Sequence, residues 1–380
     1  MMVSLHTLRQ RNPYFPLRFI FFPLCYAGLI FTLALKLGVT TNQEAEKYIS
    51  AAHEFLSGNY HSLTAKLFYS SYIIFLIVCF KLGLTSSFII IIQAFLQIIA
   101  SWLLFQTGER IFLNRKAALV LAALYLVNLP VQSWTITLFT ESFFSFLIVC
   151  YLFFLSDKPT LKSRAFIIVF GLLLTFCRPT GILIAISGMV LLKGRWAEQH
   201  SILLRITVLG LLIAVFIGYF IVPVDPVTVQ CVITGSIIGG FPQWQLINSG
   251  ETPVNLFQAY RLVTSQINPG DIIYVMIHRL LSFFNLTKPY FSTLHNLAVA
   301  PLFLLFPLGI LGIFKKKFRD HNWLFFLSVA VSSIILLIAL TFDEWTGRYF
   351  VPAMILILFP AAPVIADIFE GNRLKGAREK

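Results

Sequence analysis

The stretch TNQEAEKYISAAHEFLSGNY, from Thr41 to Tyr60, is the first polar segment after a long apolar run. It carries three carboxylates, those of Glu44, Glu46 and Glu54. Its apolar side chains recur at steps of three and four residues, which predicts an amphipathic helix lying in the membrane interface. Glu44 then has two interpretations. With Thr41 it has the form of a capping box that only closes the start of the helix, or it is a reactive acid at a water-accessible mouth.

The composition around this stretch is that of a membrane protein. Hydrophobic residues make up 58% of the 380 positions and charged residues only 12%, against about 25% charged residues in soluble domains. The mean hydropathy is +0.84. A soluble fold is therefore excluded, and the chain is predicted to be an all-α polytopic membrane protein with one transmembrane domain over 1–380.

About ten apolar runs are predicted to cross the membrane, since a span needs roughly 20 apolar residues. They are 15–37, 86–106, 117–133, 139–156, 164–177, 179–193, 203–223, 297–314, 322–341 and 347–368. One further apolar run, 67–83, is ambiguous by hydropathy alone. If it does not cross, the segments on the side of the N-terminus hold 20 of the 29 basic residues and 7 of the 16 acidic residues.

That distribution places a net charge of +13 on one side and none on the other, as the positive-inside rule describes. We therefore expect both termini in the cytoplasm and residues 67–83 to be re-entrant or interfacial. Two long segments then face outward. They are a first loop, 38–85, and a loop over 224–296 that is expected to cap a site. The excess positive charge follows the membrane orientation and does not indicate a nucleic-acid partner.

The outward side collects ionisable groups that could carry chemistry. Arg178 and Arg348 lie at helix ends close to the hydrocarbon, where a charged group is either functional and paired or an arginine that snorkels to the interface. Guanidinium groups suit phosphate, because their planar fork can bond two oxygens. Glu141 follows an apolar stretch and either lines the site or belongs to a helix start with Thr140. No HxH or HExxH spacing is present, so no metal ligand is assigned, and a divalent metal stays open as a cofactor.

The polar residues collect at one end of the predicted helices, and this distribution favours an enzyme over a transporter. No P-loop or dinucleotide fingerprint is present. A transporter would more often show polar groups in mid-helix or paired broken helices. The pattern indicates a membrane enzyme that uses a lipid-borne substrate.

The order of the motifs resembles the GT-C superfamily of integral-membrane glycosyltransferases, in the branch of protein O-mannosyltransferases and lipid A aminoarabinose transferases. The segments that carry the resemblance are EAEKYISAAHEFLSGNY, FQTGERIFLNRKAALVLAALYLVNLP, TES at 140–142, TFCRPTGILI and GRYFVPAMILILFP. The resemblance implies a helical membrane bundle with extracytoplasmic juxtamembrane helices. It also implies an acid in the first outer loop that acts on an acceptor hydroxyl while a polyprenyl-phosphate sugar donates its glycosyl group.

Carried onto this chain, the resemblance makes Glu44 the general base, with Glu46 as second candidate and Glu141 at a second acidic position. Arg178 and Arg348 match basic positions and would hold the donor phosphate, together with Lys288 or Arg279. The sugar or acceptor contacts are expected at the aromatic residues Tyr48, Trp244, Tyr290 and Tyr349.

The expected function is an inverting glycosyltransferase of the inner or plasma membrane. Its site would be extracytoplasmic, and its acceptor a glycan, lipid or protein hydroxyl. The rivals are a lipid-linked glycan polymerase or ligase and a flippase or transporter without bond-making chemistry. The donor sugar, the acceptor, metal dependence and oligomeric state stay open.

Overall fold

The computed structural model describes most of the chain. The described residues are 15–41, 44–61, 63, 66–157, 160–191, 210, 213, 217–218, 221, 226–239, 253–314, 318, 321–344 and 347–378. Their structure is almost entirely helical, with one pair of two-residue strands. The expectation of an all-α protein of membrane type is confirmed.

The first half of the chain forms nine helices among the described residues. They are α1 (Phe15–Leu37), α2 (Glu44–Leu56), α3 (Ser70–Lys81), α4 (Ser86–Ile111), α5 (Arg115–Val127), α6 (Leu129–Gln132), α7 (Thr140–Ser156), α8 (Leu161–Thr175) and α9 (Pro179–Leu191). Short 3₁₀ turns lie at Leu67–Tyr69 and Ser133–Ile136.

The described part of the second half contains seven further helices and both strands. They are α10 (Pro226–Ile233), β1 (Ile238–Gly239), α11 (Leu256–Gln266), α12 (Pro269–Phe284), α13 (Thr293–Val299), α14 (Leu305–Phe314), α15 (His321–Leu340), β2 (Asp343–Glu344) and α16 (Phe350–Arg378). A 3₁₀ turn, Ala300–Leu304, joins α13 to α14.

The expected count of about ten crossings is wrong for the described residues. Four helices there are long and apolar enough to cross: Ser86–Ile111, Thr293–Phe314, Asn322–Leu340 and Phe350–Glu370. A fifth is counted if the pair Arg115–Val127 and Leu129–Ile136, bent by 55°, is one broken span. The predicted span 203–223 lies largely outside the described residues.

Three other predicted spans, 139–156, 164–177 and 179–193, form helices of 17 residues or fewer, and α1 contributes the shorter apolar helix Phe21–Leu37. The run 139–156 yields the 17 residues of α7, and the block around Arg178 is divided into α8 and α9, with Pro179 opening α9. Proline lacks the amide that an unbroken helix would need there. Hydropathy therefore predicted apolar segments correctly and misjudged how many are single long helices.

Contacts define two ends of the helical bundle. Gln93 of α4 donates to the carbonyl oxygens of Thr135 and Thr137 at 3.1 and 2.9 Å, and we call this the site end. The other end of α4 carries Arg110, about 25 Å away at 1.5 Å per residue, and we call it the basic end. There Lys116 forms an ion pair with Glu370 at 2.6 Å.

Helix α3, within the ambiguous run 67–83, keeps to the site end. Its Ser71 amide donates to the Phe176 carbonyl at 3.0 Å, and Phe80 near its other end stacks on His53 of α2 at 4.6 Å between ring centroids. A helix of 12 residues is also too short for a hydrocarbon core that needs about 20. Both facts support the interfacial interpretation of 67–83.

Backbone pairing ties the loops of the site end together. Thr40, just after α1, forms a parallel bridge with Thr137. β1 pairs in parallel with β2, so that Ile238 lies opposite Asp343 and Gly239 opposite Glu344. The first link joins the first loop to the α6–α7 connection, and the second joins the segment after α10 to the α15–α16 turn.

Candidate functional site

Glu44 and Arg348 meet at the site end although they are 304 positions apart. Glu44 is the first residue of α2, and its Oε2 accepts a hydrogen bond from the Nη1 of Arg348. The Tyr48 hydroxyl, one turn along α2, lies 3.4 Å from the same oxygen, and Lys47 Nζ lies 3.6 Å from Oε1. The Glu44 side chain is 29% exposed, so it is accessible at the surface of the bundle.

A second acid–guanidinium pair lies behind the first and is fully buried. Glu141, in the first turn of α7, accepts from the Nη1 of Arg178. The side chains are 1% and 6% exposed. Glu141 Oε1 is also 3.9 Å from Arg348 Nε. Glu44, Arg348, Glu141 and Arg178 therefore form one alternating chain of charges, which we call the ionic cluster.

The positions of these groups follow from helix ends. Both acids lie in the first turn of a helix, where the dipole favours negative charge. Arg178 directly precedes the helix that begins at Pro179, and Arg348 lies two residues before the helix that begins at Phe350. At both positions the same dipole opposes positive charge. A guanidinium in that position needs a carboxylate partner, and each of the two has one.

Glu344 is a further acid of the ionic cluster that the sequence analysis did not assign to the site. Its Oε2 lies 3.6 Å from Arg348 Nε. Gly347 makes this approach feasible, because its φ of +73° is a conformation that other residues rarely adopt. The spacing of four residues between Glu344 and Arg348 was the available signal.

Aromatic rings form the wall of the ionic cluster. The Tyr349 ring lies 5.4 Å from the Arg178 guanidinium and 5.6 Å from that of Arg348, and Phe144 lies 5.9 Å from Arg178. Tyr48 is buried against Tyr69 and Tyr72. Such rings exclude water and add cation–π attraction to the ion pairs.

Burial and pairing act on the pKa values in opposite directions. Burial disfavours the charged form of Glu44, but the hydrogen bond and charge of Arg348 outweigh it and lower the pKa of Glu44 to about 2. Burial likewise opposes the charge of Arg178 and Arg348. At Arg178 the charge of Glu141 outweighs the effect of burial, and the pKa of Arg178 is raised. At Arg348 the nearby carboxylates of Glu344, Glu44 and Glu141 outweigh the effect of burial, and its pKa is raised as well. These shifts favour the charged forms of Glu44, Arg178 and Arg348.

Lys288, predicted to hold phosphate, lies in a different buried pair. Its ammonium donates to Asp343 Oδ2 at 3.0 Å, to the Ser282 carbonyl at 2.7 Å and to Ser282 Oγ at 2.9 Å. Ser282 Oγ in turn donates to Asp343 at 2.6 Å. The three contacts occupy the three protons of the ammonium.

Arg279, the other predicted phosphate ligand, binds backbone carbonyls. Its guanidinium donates to Ser236 at 2.9 Å, to Cys231 at 3.2 Å, and to Ala339 and Leu340 at 3.2 and 3.1 Å. The last two carbonyls are at the C-terminal end of α15, where a cation is favoured. Burial lowers the pKa of Arg279 to about 10.

The remaining predicted contacts are distributed around the site end. Tyr48 and Tyr349 lie in the ionic cluster, as described. Glu46 is exposed on the first turn of α2, and Tyr290 is 42% exposed at a cavity beside Lys288. Trp244 lies outside the described residues.

Within the described residues, no three His, Cys, Asp or Glu side chains are grouped so that they could hold a metal ion. The ionic cluster brings several carboxylates close, but they surround guanidinium groups. Its geometry suits exchange of one anion for another on arginine. No protein-family model, curated protein or solved structure matches the chain.

Proposed function

We propose that this chain is an inverting glycosyltransferase that moves a monosaccharide from a polyprenyl-phosphate carrier to an extracytoplasmic hydroxyl group. The observation that carries the proposal is the ion pair between an accessible carboxylate, Glu44, and the half-buried guanidinium of Arg348, with the buried Arg178 in the same cluster at one end of a membrane bundle. A base for a hydroxyl and two phosphate ligands are the groups this reaction needs.

Arg348 is suited to exchange its partner. Its Nε is buried and has no hydrogen-bond acceptor among the described residues, since Glu344 and Glu141 are 3.6 and 3.9 Å away. A donor phosphate would bond this N–H and replace Glu44 on the guanidinium, because phosphate and carboxylate use the same planar fork. Arg178, held by Glu141, would lie behind it as a second positive charge.

Partner exchange would also activate the base. A carboxylate with a pKa of about 2 is a weak base, and a base is most effective when its pKa is near the working pH. Loss of Arg348 to the phosphate would raise the pKa of Glu44. Donor binding would thus make Glu44 a stronger base for the acceptor hydroxyl.

The transfer step follows from these positions. Glu44 accepts the proton of the acceptor hydroxyl, and the acceptor oxygen bonds to the anomeric carbon of the donor. The bond from that carbon to the phosphate oxygen breaks, and its electron pair leaves on the polyprenyl phosphate. Arg348 and Arg178 stabilise the charge that develops there.

A transporter is the second candidate, and one observation favours it. Asn128 and Gln132 lie at the 55° break between α5 and α6, both fully buried. Both amide atoms of Asn128 and the Oε1 of Gln132 lack hydrogen-bond partners among the described residues. Broken helices with free polar groups are typical of solute sites in transporters. A polymerase or ligase would share the proposed chemistry and differ in adding a whole repeat unit.

The test compares Glu44→Gln with Glu54→Gln, an exposed acid on the same helix. Cells lacking the chain are complemented with each variant, and cell-envelope glycans are measured by mass spectrometry. We expect Glu44→Gln to lower transfer by about 10²–10⁴-fold, the usual contribution of a general base, and Glu54→Gln to restore it. Binding of polyprenyl phosphate to purified Glu44→Gln in nanodiscs should persist.

Unchanged transfer by Glu44→Gln would remove Glu44 from this role. Lipid translocation in reconstituted vesicles without glycosyl transfer would favour the transporter instead.

A further inference from the structure

A cavity of about 360 Å³ lies beside the ionic cluster, between β1, the C-terminal end of α12 and the segment 285–290. Its walls are mostly apolar and include Ile237, Ile238, Leu281 and Pro289. Leu281 and Tyr290 at its rim are 62% and 42% exposed. The volume is within the range of small-molecule sites.

The charged group that lines this cavity, the ammonium of Lys288, is already paired within the protein. Lys288 and Ser282 line the cavity, and all three ammonium protons of Lys288 are directed to Ser282 and Asp343. A phosphate there would have to displace the buried Asp343, at the cost of an unpaired charge. The cavity therefore suits an apolar group and does not suit the donor phosphate.

The cavity is continuous with an apolar surface of α12. Ile273, Ile277 and Leu281, spaced four residues apart on one face, are 57%, 50% and 62% exposed. The membrane span that begins at Thr293 follows Tyr290 closely in the chain. A lipid chain could thus enter the cavity from the membrane side.

The cavity is also adjacent to the reacting groups. Asp343, which pairs with Lys288, is followed directly by Glu344, whose carboxylate is 3.6 Å from Arg348. β1, which contributes Ile238 to the wall, pairs with these two residues. A molecule anchored in the cavity would present its head group toward the ionic cluster.

We infer that this cavity holds the alkyl chain of the acceptor, so that the acceptor is an amphiphile such as a glycolipid and not a soluble glycan or a protein. The inference rests on the proposed function and adds the acceptor class to it. The apolar walls, the paired ammonium of Lys288, the opening toward lipid and the position beside Glu344 all agree with this occupant.

The test uses a decyl glucoside that carries a photoreactive diazirine at the end of its chain. The full chain in nanodiscs is labelled at tracer concentration, and labelled peptides are mapped by mass spectrometry. We expect labelling to concentrate at residues 237–238 and 281–290, and unlabelled decyl glucoside, but not methyl glucoside, to compete. This measurement needs no turnover, so it is independent of whether transfer itself is observed.

Leu281→Trp should fill the rim of the cavity, and Leu24→Trp is the matched control, because Leu24 of α1 is 65% exposed and does not line the cavity. Because each buried methylene contributes about fourfold in affinity, exclusion of two methylenes should lower labelling by about tenfold or more. The control should retain the wild-type labelling. A parallel assay with alkyl and methyl acceptors should show a raised KM in Leu281→Trp for the alkyl acceptor alone.

Three results would overturn the inference. One is labelling spread evenly over the lipid-facing helices, and another is equal labelling of the two tryptophan variants. The third is stronger competition by polyprenyl phosphate than by decyl glucoside, which would assign the cavity to the donor chain.

Discussion

Glu44 is the residue whose ionisation links stability to pH. Its pKa in the folded chain is about 2, below the ordinary value of 4.5. A lowered pKa contributes stability that is complete above pH 4.5 and is lost as the pH falls through about 2. The shift corresponds to roughly 3 kcal/mol.

We therefore expect Glu44→Gln to lower the unfolding temperature clearly at pH 7 and to approach the wild type as the pH falls from 4.5 toward 2. Thermal unfolding in nanodiscs at several pH values measures this, with Glu54→Gln as the control for removing one exposed carboxylate. A gap between wild type and Glu44→Gln that is independent of pH would contradict it.

The Glu141–Arg178 pair makes a different prediction, because both partners are buried. Removing one partner leaves an uncompensated charge and typically costs about 3–5 kcal/mol, whereas replacing both by apolar groups is often close to neutral. Glu141→Leu and Arg178→Met should each be strongly destabilising. The double variant should recover most of the loss in a double-mutant cycle of unfolding, and penalties that simply add would refute the coupling.

Among residues, the sequence singled out charged groups near helix ends, and the structure brings Glu44, Glu141, Arg178 and Arg348 together. Arg178 and Arg348 are adjacent to helix starts, and charge at such positions is informative without coordinates. Lys288 and Arg279 could not be separated from them by sequence, because their partners are Asp343 and a set of backbone carbonyls that only the tertiary fold brings close. Glu344 was overlooked although its spacing from Arg348 was visible.

Helices α14 and α16 approach so closely that one glycine is required. A Cβ atom at Gly312 would lie 1.8 Å from the carbonyl oxygen of Pro360, so the two backbones touch where Gly312 lacks a side chain. α16 begins two residues after Arg348, and a displacement of this helix would move the guanidinium away from Glu44.

We expect Gly312→Ala to lower both the unfolding temperature and the proposed glycosyl transfer. Gly28→Ala is the matched control, because nothing lies within 4 Å of a Cβ added there, and alanine in a helix is favoured over glycine by up to about 1 kcal/mol. Equal effects of the two substitutions would mean that the contact between α14 and α16 does not support the site.

The lengths of single helices were predicted less well than the positions of apolar segments. The separate runs 164–177 and 179–193 predicted the break at Arg178, which the structure confirms. The bend at Asn128 was not predicted, because hydropathy averages over a window, although a Leu-Pro pair follows Asn128 and gave a local signal. The two strands are only two residues long, too short to show the alternation of apolar and polar residues from which strands are predicted.

The whole molecule has a sidedness that can be tested. The site end carries Glu44, and the basic end carries Arg110, Arg115 and Lys116. The charge distribution predicts that the basic end is cytoplasmic.

Single cysteines at Ser57 and Leu113, in a Cys25→Ser background, report on the two ends. Cys25 is the exposed native cysteine, and the other four are buried. We expect a membrane-impermeant maleimide to label Ser57→Cys in intact spheroplasts and Leu113→Cys only after permeabilisation. Labelling of both from outside would refute the proposed orientation.

The separation of Glu44 and Arg348 by 304 positions has a consequence for biosynthesis. Glu141 and Arg178 can pair once residue 178 has been synthesised, but Glu44 must wait for residue 348. A copy that terminates between these two positions would insert its early helices and still lack the guanidinium that binds Glu44. The ionic cluster is therefore completed much later in synthesis than its buried pair.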